Sequence, residues 1–323
     1  MTLAETCRVA VVVPNWNGAA FIARTLAAVL AQSRPADRVL VVDNASTDDS
    51  YDVIAREFAS VEIVRLPRNT GFAGAANAGI DAVDTDLVAV LNSDARPATD
   101  WLQRLLAQPD DPQVWAWGSV LVSPQGVVES AGDHYDRAGF ATKLGQGAAV
   151  ADLPESPYPV FAPPGACPLM RRDVVRALGG YCERFFLYYE DVDLSFRAAL
   201  AGHRAVVVPT AQVEHDLGRS SAGSARPWFF IARNSLWCAV RCLPDVTAAM
   251  LWRRTRNEWR TARERGGGAA YLRGRAAGLL GLPWALRSRR DVQATSVVEP
   301  GELWALLDNP PLPRNGVRQG AAA

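Results

Sequence analysis

The sequence predicts an α/β protein built on a Rossmann-like, mostly parallel sheet flanked by helices, with a basic helical extension after it. Three observations carry this. Short apolar runs recur four times within the first 95 residues, each the length of a buried strand. Helical patterns alternate with them, giving βαβαβαβ, the order of a doubly wound sheet. Polar groups gather where each run ends, at the strand carboxyl ends, where open α/β sheets bind ligands.

Val9–Val13 is the first strand and breaks at Pro14-Asn-Trp-Asn-Gly18. Ala19 to Gln32 follows as a helix, with Phe21, Ile22, Leu26, Val29 and Leu30 at helical spacing. Arg38–Asp43 is the second strand, and Ser46-Thr-Asp-Asp49 offers N-caps for a helix from 49 to 58. Val61–Leu66 is the third strand and Pro67–Gly71 the third loop. The helix Gly74–Ala82 is rich in Ala and Gly, so it packs close to the sheet. Leu87–Leu91 is the fourth strand. Beyond it the alternation loosens: a helix over 99–106, a strand over 114–122 with Trp115 and Trp117, then a Gly-, Pro- and Asp-rich stretch, 123–163, that reads as hairpins and a mobile loop rather than a second core. Pro168–Met170 is strand-like, Arg171–Leu178 helical up to Gly179-Gly180, Leu194–Ala201 helical, and Ala205–Val208 a further strand leading towards Val213-Glu-His215.

The fourth strand ends in Asn92-Ser93-Asp94. An amide oxygen and a carboxylate two residues apart on an extended segment point to one side and can hold a hard divalent cation, which can hold a diphosphate. An Asx-closed turn is the other reading. Asp43 can accept from a base N–H or a ribose hydroxyl, or cap the helix after it. In Gly165-Ala166-Cys167 the small side chains would let a ligand approach the backbone. Tyr189, Glu190, Asp191 and Asp193 close an aromatic run just ahead of the 194–201 helix. Glu190 or Asp193 is expected to cap that helix, and a carboxylate partly buried at a pocket wall suits a general base. His215 before a Gly/Ser segment is a metal or phosphate ligand, or a structural histidine.

The bulk numbers narrow the classes. Residues 1–226 hold 19 basic and 27 acidic side chains, and 227–323 hold 15 and 7, a split of −8 against +8 in a neutral chain. That sets the last third apart. Lys143 is the only lysine, so no single arginine is read as a phosphate ligand. Five scattered Cys and three His argue against a disulfide framework or a zinc site and fit a reduced, cytoplasmic protein. No signal peptide or membrane span is expected. Neither G-x-G-x-x-G after the first strand nor a P-loop is present, so a nucleotide must be read another way.

Taken together, Pro14-Asn-Trp-Asn-Gly18, Asp43-Asn-Ala-Ser-Thr-Asp48, Arg68-Asn-Thr-Gly-Phe-Ala-Gly-Ala-Ala-Asn77, Asn92-Ser-Asp94, Tyr189-Glu-Asp-Val-Asp193 and His215-x-x-x-Gly218-x-Ser220 resemble family-2 inverting glycosyltransferases of the GT-A fold. The bacterial rhamnosyltransferase-like branch is nearest, and the match runs from about residue 8 to 235. The resemblance implies that Pro14, Asn15 and Asp43 hold the base and ribose beside Arg68 and Asn69, and that Asn77 shapes the nucleotide pocket. It implies that Asn92 and Ser93 lie on the donor and that Asp94 binds Mg²⁺ or Mn²⁺. His215, Gly218 and Ser220 would lie near the diphosphate, His215 as a second metal ligand. Asp191 would be the general base, with Gly165, Ala166, Tyr189 and Glu190 walling the acceptor pocket. Asn92 stands where the family often has Asp, which removes one charge from the metal motif.

Residues 1–226 are thus expected to form the catalytic domain, 227–290 a basic, Trp-rich helical extension and 291–323 a partly disordered tail. Between 227 and 290 stand 13 Arg against three acids, interleaved with Trp and Leu; Arg233-Asn234 is a pair also found in that branch. These helices either lie on an anionic membrane surface or pack on the catalytic domain with their Arg exposed. No nucleic-acid-reading motif is present. The expected activity moves a sugar, rhamnose or a related hexose, from a dTDP- or UDP-linked donor to a hydroxyl of a glycan or polyprenyl-diphosphate-linked acceptor, at the inner face of the cell membrane. Two rivals are a sugar-nucleotide nucleotidyltransferase, which needs a Gly-rich basic first loop that Asn15–Gly18 does not supply, and a non-catalytic sugar- or lipid-binding relative.

Overall fold

A computed structural model describes residues 1–136, 140–216, 226–308 and Leu312. In chain order the elements are α1 (Leu3–Thr6), β1 (Val9–Asn15), α2 (Ile22–Leu30), β2 (Arg38–Asp43), α3 (Ser50–Glu57), β3 (Glu62–Arg65), α4 (Gly71–Ala82) and β4 (Leu87–Val90). Next come β5 (Ala95–Pro97), α5 (Trp101–Leu106), β6 (Val114–Val122), β7 (Val128–Ser130), β8 (Asp133–Tyr135), β9 (Ala141–Lys143), β10 (Tyr158–Val160) and β11 (Leu169–Arg171). The chain continues through α6 (Arg172–Ala177), α7 (Glu190–Leu200), β12 (Arg204–His215) and the helices α8 (Arg226–Cys242), α9 (Ala248–Glu264), α10 (Gly268–Leu280), α11 (Leu282–Ala294) and α12 (Pro300–Asp308).

The main sheet runs β10-β12-β6-β11-β4-β1-β2-β3, with β5 paired to β12 and β7 to β6. β4, β1, β2 and β3 are mutually parallel. β11 enters antiparallel between β4 and β6. Successive side chains of β1 alternate between two cores: Ala10 and Val12 face α4, while Val9, Val11 and Val13 face α2 and α5. Both faces are buried, which is why the run reads as continuous rather than alternating. The close seating expected of α4 is present: a Cβ on Gly79 would stand 2.2 Å from Val12 Cγ1.

Four expectations change. In 123–163 the expected hairpin is present as β8 and β9, but the stretch is also built into the fold: β7 and β10 join the main sheet, and Val128, Leu144, Tyr158 and Val160 enter the core. Residues 205–215 form one long strand with a bulge between Val208 and Gln212. Helix α7 starts at Glu190, so the acidic cluster lies inside its first turn, and no side chain caps it. The C-terminal helices pack through α8 on α7, sharing a core of Phe196, Leu200, Leu236, Val240 and Ala285. Several of their arginines are buried: Arg254 is 1% exposed, with Arg241 and Arg275 under 9%. No described helix is long and apolar enough to cross a membrane.

Candidate active site

The parallel strands deliver three loops to one edge. At the end of β1, Asn15 is buried and Nδ2 donates to Ser46 Oγ (3.2 Å) and Ser50 Oγ (3.0 Å). Asn15 stands opposite Asp43 in the register of β1 and β2. Asp43 is fully buried; Oδ1 accepts from Ser46 N (3.3 Å), in the loop and not at the start of α3. Arg65 Nε lies 3.1 Å from Asp43 Oδ2 but off the hydrogen-bonding line. Asn15 Oδ1 and Asp43 Oδ2 thus have no hydrogen-bond partner among the described residues. Buried acceptors cost stability unless something pairs with them. Asn44 binds the third loop: Oδ1 accepts from Thr70 N (2.8 Å), and Nδ2 donates to Asn69 Oδ1 (3.2 Å) and Gly71 O (2.9 Å). Arg68 is exposed on that loop and Pro14 is buried in β1.

At the end of β4, Asp94 is 7% exposed and the Ser93 carbonyl accepts from Thr25 Oγ1 (2.8 Å). His215, ending β12, brings Nε2 to 3.3 Å from Asp94 Oδ1, and its Nδ1 lies 2.8 Å from Glu129 Oε2. Glu129 on β7 is paired in turn with Lys143 on β9. Burial pushes the imidazole pKa down, but the hydrogen bonds to Asp94 and Glu129 outweigh it and lift it to about 9. Burial works to raise the Glu129 pKa, and the His215 bond and Lys143 charge win and lower it. The Asp94–His215 pair fits a divalent cation that displaces the proton between them, since one ion could reach both atoms. Glu129 on Nδ1 is the outer carboxylate that fixes the ring of a ligating histidine. Among the described residues no three His, Cys, Asp or Glu side chains are grouped to hold a metal. Diphosphate oxygens would have to complete the coordination, as is usual for Mg²⁺.

Asp191 lies at the start of α7, half-buried, with Oδ1 accepting from its neighbour Val192 N (2.8 Å). Trp115, Pro163, Pro168, Met170 and Leu194 line the crevice beside it. Burial raises its pKa above the ordinary carboxylate range, eased by backbone hydrogen bonds and the Lys143 charge. Glu190, 6% exposed, is pushed well above that range by burial and then by the Asp191 charge. The two ends of the site meet at Gly165-Ala166. A Cβ on Gly165 would stand 2.3 Å from Asp191 Oδ2, and Ala166 O accepts from Asn92 N (2.9 Å). Asp191 therefore lies on the same sheet edge as Asn92-Ser93-Asp94.

Several expected residues do other work. Asn77 donates from Nδ2 to Tyr181 O (2.8 Å) and accepts from Tyr181 N (2.8 Å), so its amide ties α4 to the loop before α7 instead of facing a nucleotide. The Tyr189 hydroxyl accepts from Arg254 (2.6 Å) and turns towards α9. Asp193, expected as a possible cap, is fully buried between Arg197 (2.9 Å) and Arg241. Gly218 and Ser220 lie outside the described residues. Glu129, Lys143 and Asp133 were missed. Asp133 on β8 has its pKa pushed up to about 7 by burial and then by Asp191. Their signal was weak, since each sits on a three-residue strand in a Gly-rich stretch.

Comparison with known proteins gives the geometry its context. The pattern of "Glycosyl transferase family 2" matches residues 10–179. A "Pre-mycofactocin glycosyltransferase" of Mycobacterium tuberculosis is 35% identical over 255 residues, covering 75% of this chain but 50% of the relative, so the chain spans about half the length of that curated relative. An "N-acetylglucosaminyl-diphospho-decaprenol L-rhamnosyltransferase" of the same species is 31% identical over 241 residues, covering 65% of this chain and 76% of the relative. Among solved structures, a mannosyltransferase from Pyrobaculum calidifontis in complex with GDP-Man and Mn²⁺ aligns with a TM-score of 0.54 at 20% identity, over 93% of this chain and 84% of the other. GalNAc-T7 with UDP, GalNAc and Mn²⁺ aligns at 0.57 with 16% identity, over 78% and 54%. These likenesses show the GT-A fold. With its motifs in order and its sheet edge built as described, the chain belongs to glycosyl transferase family 2.

Proposed function

We propose that this protein is a metal-dependent, inverting glycosyltransferase. It moves a sugar, rhamnose or a related hexose, from a dTDP- or UDP-linked donor to a hydroxyl of a glycan or polyprenyl-diphosphate-linked acceptor. The observation that carries the reading is the meeting of Asp191 and the Asp94 strand end at Gly165-Ala166. A base and a diphosphate-binding carboxylate at one edge are what a single displacement at an anomeric carbon needs. Asn15 and Asp43 offer buried acceptors to the base and ribose. The acceptor hydroxyl gives its proton to Asp191 as the new bond forms, and burial keeps that carboxylate basic enough to take it. With one base on the face opposite the leaving group, the anomeric configuration inverts. Held by Asp94 and His215, Mg²⁺ or Mn²⁺ would neutralise charge on the departing diphosphate.

The relative whose name describes rhamnosyl transfer to a diphospho-decaprenol supports the acceptor class. Contact with an anionic membrane surface is supported by α10 and α11, which expose Leu272, Leu279, Leu280 and Leu286 among Arg273, Arg287 and Arg290. The test measures turnover of dTDP-rhamnose and UDP-sugars with Mn²⁺. Asp94→Ala should weaken metal-dependent donor binding. Asp191→Asn should keep donor binding and lose transfer by about 10²–10⁴-fold. Normal transfer by Asp191→Asn would overturn the assignment of the base.

A further inference from the structure

We propose that Asn234 is a positioning residue that holds the loop before α7 in the bend that places Asp191. The inference rests on the reading of Asp191 as the base. It starts from backbone geometry: Phe186, Tyr188 and Tyr189 have φ of 67°, 66° and 71°. Bulky side chains avoid that region, at a cost of about 1–3 kcal/mol each, and such conformations persist only when the surroundings over-determine them. All three lie within the four residues that precede Glu190.

The surroundings that hold them come from α8. Asn234 is fully buried, and its Nδ2 lies within hydrogen-bonding distance of Phe185 O (2.9 Å), Leu187 O (2.8 Å) and Tyr188 O (2.7 Å), its two N–H groups shared among the three carbonyls. Its Oδ1 accepts from Arg233 Nε (2.9 Å), which fixes the amide with its N–H groups towards the loop. Arg233 also donates to Arg184 O (3.1 Å) and Phe185 O (2.8 Å). Phe186 stacks on Phe230 with centroids 5.3 Å apart. Five carbonyl contacts thus converge on one short loop from two adjacent residues of α8. Only a group with N–H donors and no negative charge fits where three carbonyl oxygens meet. The bend ends at Tyr189, the residue from which α7 departs, and one residue into that helix stands the carboxylate resting on Gly165. If the loop relaxes, Asp191 moves.

The test compares wild type with Asn234→Asp, which keeps the shape and removes both N–H donors, and with Asn234→Ala should the first fail to fold. Hydrogen exchange is followed by mass spectrometry, and steady-state kinetics are run with dTDP-rhamnose and Mn²⁺. Amides of 185–193 should exchange at least about tenfold faster, with α10 and α11 keeping their protection. The kcat should fall about 100-fold, with the donor KM held within about threefold. The acid limb of the pH–rate profile should move to lower pH, because a loosened Asp191 is better hydrated while Glu190, Asp133, Lys143 and Tyr181 still face it. Unchanged exchange in 185–193, or faster exchange spread evenly over 226–308, overturns the proposal. The exchange arm stands whichever sugar is the donor. If Asp191→Asn still transfers, the base assignment has failed, and the loop exchange still decides the role of Asn234.

Discussion

Asp191 occupies the place that a side chain on Gly165 would take, so Gly165→Ala should displace the carboxylate proposed as the base without altering it chemically. A Cβ built there stands 2.3 Å from Asp191 Oδ2, 3.1 Å from Cγ and 3.3 Å from Cβ. Ordinary contact begins near 3.4 Å, so the carboxylate must retreat by about 1 Å. Gly165 is not among the residues with positive φ, so alanine fits the backbone and narrows the unfolded ensemble. Stability should therefore change little, by under about 1 kcal/mol. A displacement of about 1 Å at a reacting group costs roughly 100-fold in rate, or about 2.7 kcal/mol of barrier. The assay is steady-state transfer with the donor varied, beside thermal unfolding with and without nucleotide sugar. The expected result is a kcat about 100-fold lower, the donor KM within about threefold and an unaltered ligand-induced shift in Tm. A kcat within threefold of wild type would refute the claim that Asp191 works from the position it holds over Gly165 (about 0.7 kcal/mol at most).

Other perturbations test other parts. Asp193→Asn leaves Arg197 and Arg241 buried without their shared carboxylate and should cost about 3–5 kcal/mol in urea denaturation; a loss under about 1 kcal/mol would show the pair is solvated in solution. Asp133 has its folded pKa raised to about 7, so the folded state binds its proton more tightly than the unfolded chain. Its stabilising contribution is full below the ordinary carboxylate pKa and lost as pH rises through 7. Asp133→Asn should thus narrow the gap between denaturation midpoints at pH 5 and pH 8, and an unchanged gap would sink the assignment. Replacing Leu279 and Leu280 together by Glu should reduce flotation with vesicles of phosphatidylglycerol and phosphatidylcholine, because it puts charge on the exposed apolar ridge of α10. Equal flotation would mean that another face meets the lipid.

The parallel half of the sheet was legible because β1, β2 and β4 are buried on both faces, and burial on both faces writes an unbroken apolar run. Asp94 and Asp191 were legible as candidates for a local reason as well: each belongs to a short polar cluster that follows an apolar or aromatic run. The surroundings of those two groups were not. Glu129, Asp133 and Lys143 sit on three-residue strands, too short to show a period of two, and long-range pairing alone brings them to the site. For Asp193, the Arg197 partner is one helical turn away and could be read from spacing, whereas Arg241 lies 48 residues on and could not.

The charge split between the two parts of the chain carries a physical meaning that composition alone misses. An excess of arginine reads as a surface property, because isolated guanidinium groups stay in water. Yet Arg241 is buried against Asp193, and Arg254 is buried where it donates to Tyr135 (2.8 Å) and Tyr189 (2.6 Å) while pairing with Glu258 (2.8 Å). These arginines face acids and hydroxyls on α7, on β8 and in the loop between Phe185 and Glu190, the same segment whose carbonyls Asn234 binds. A buried charge is tolerated only where its partner is held in place, so each pairing constrains the partner as much as the arginine. The basic helices therefore do two separable things. Their outer arginines and leucines define a surface, and their inner ones bind the carbonyls, carboxylate and hydroxyls of the loop before α7 and of the elements beside it.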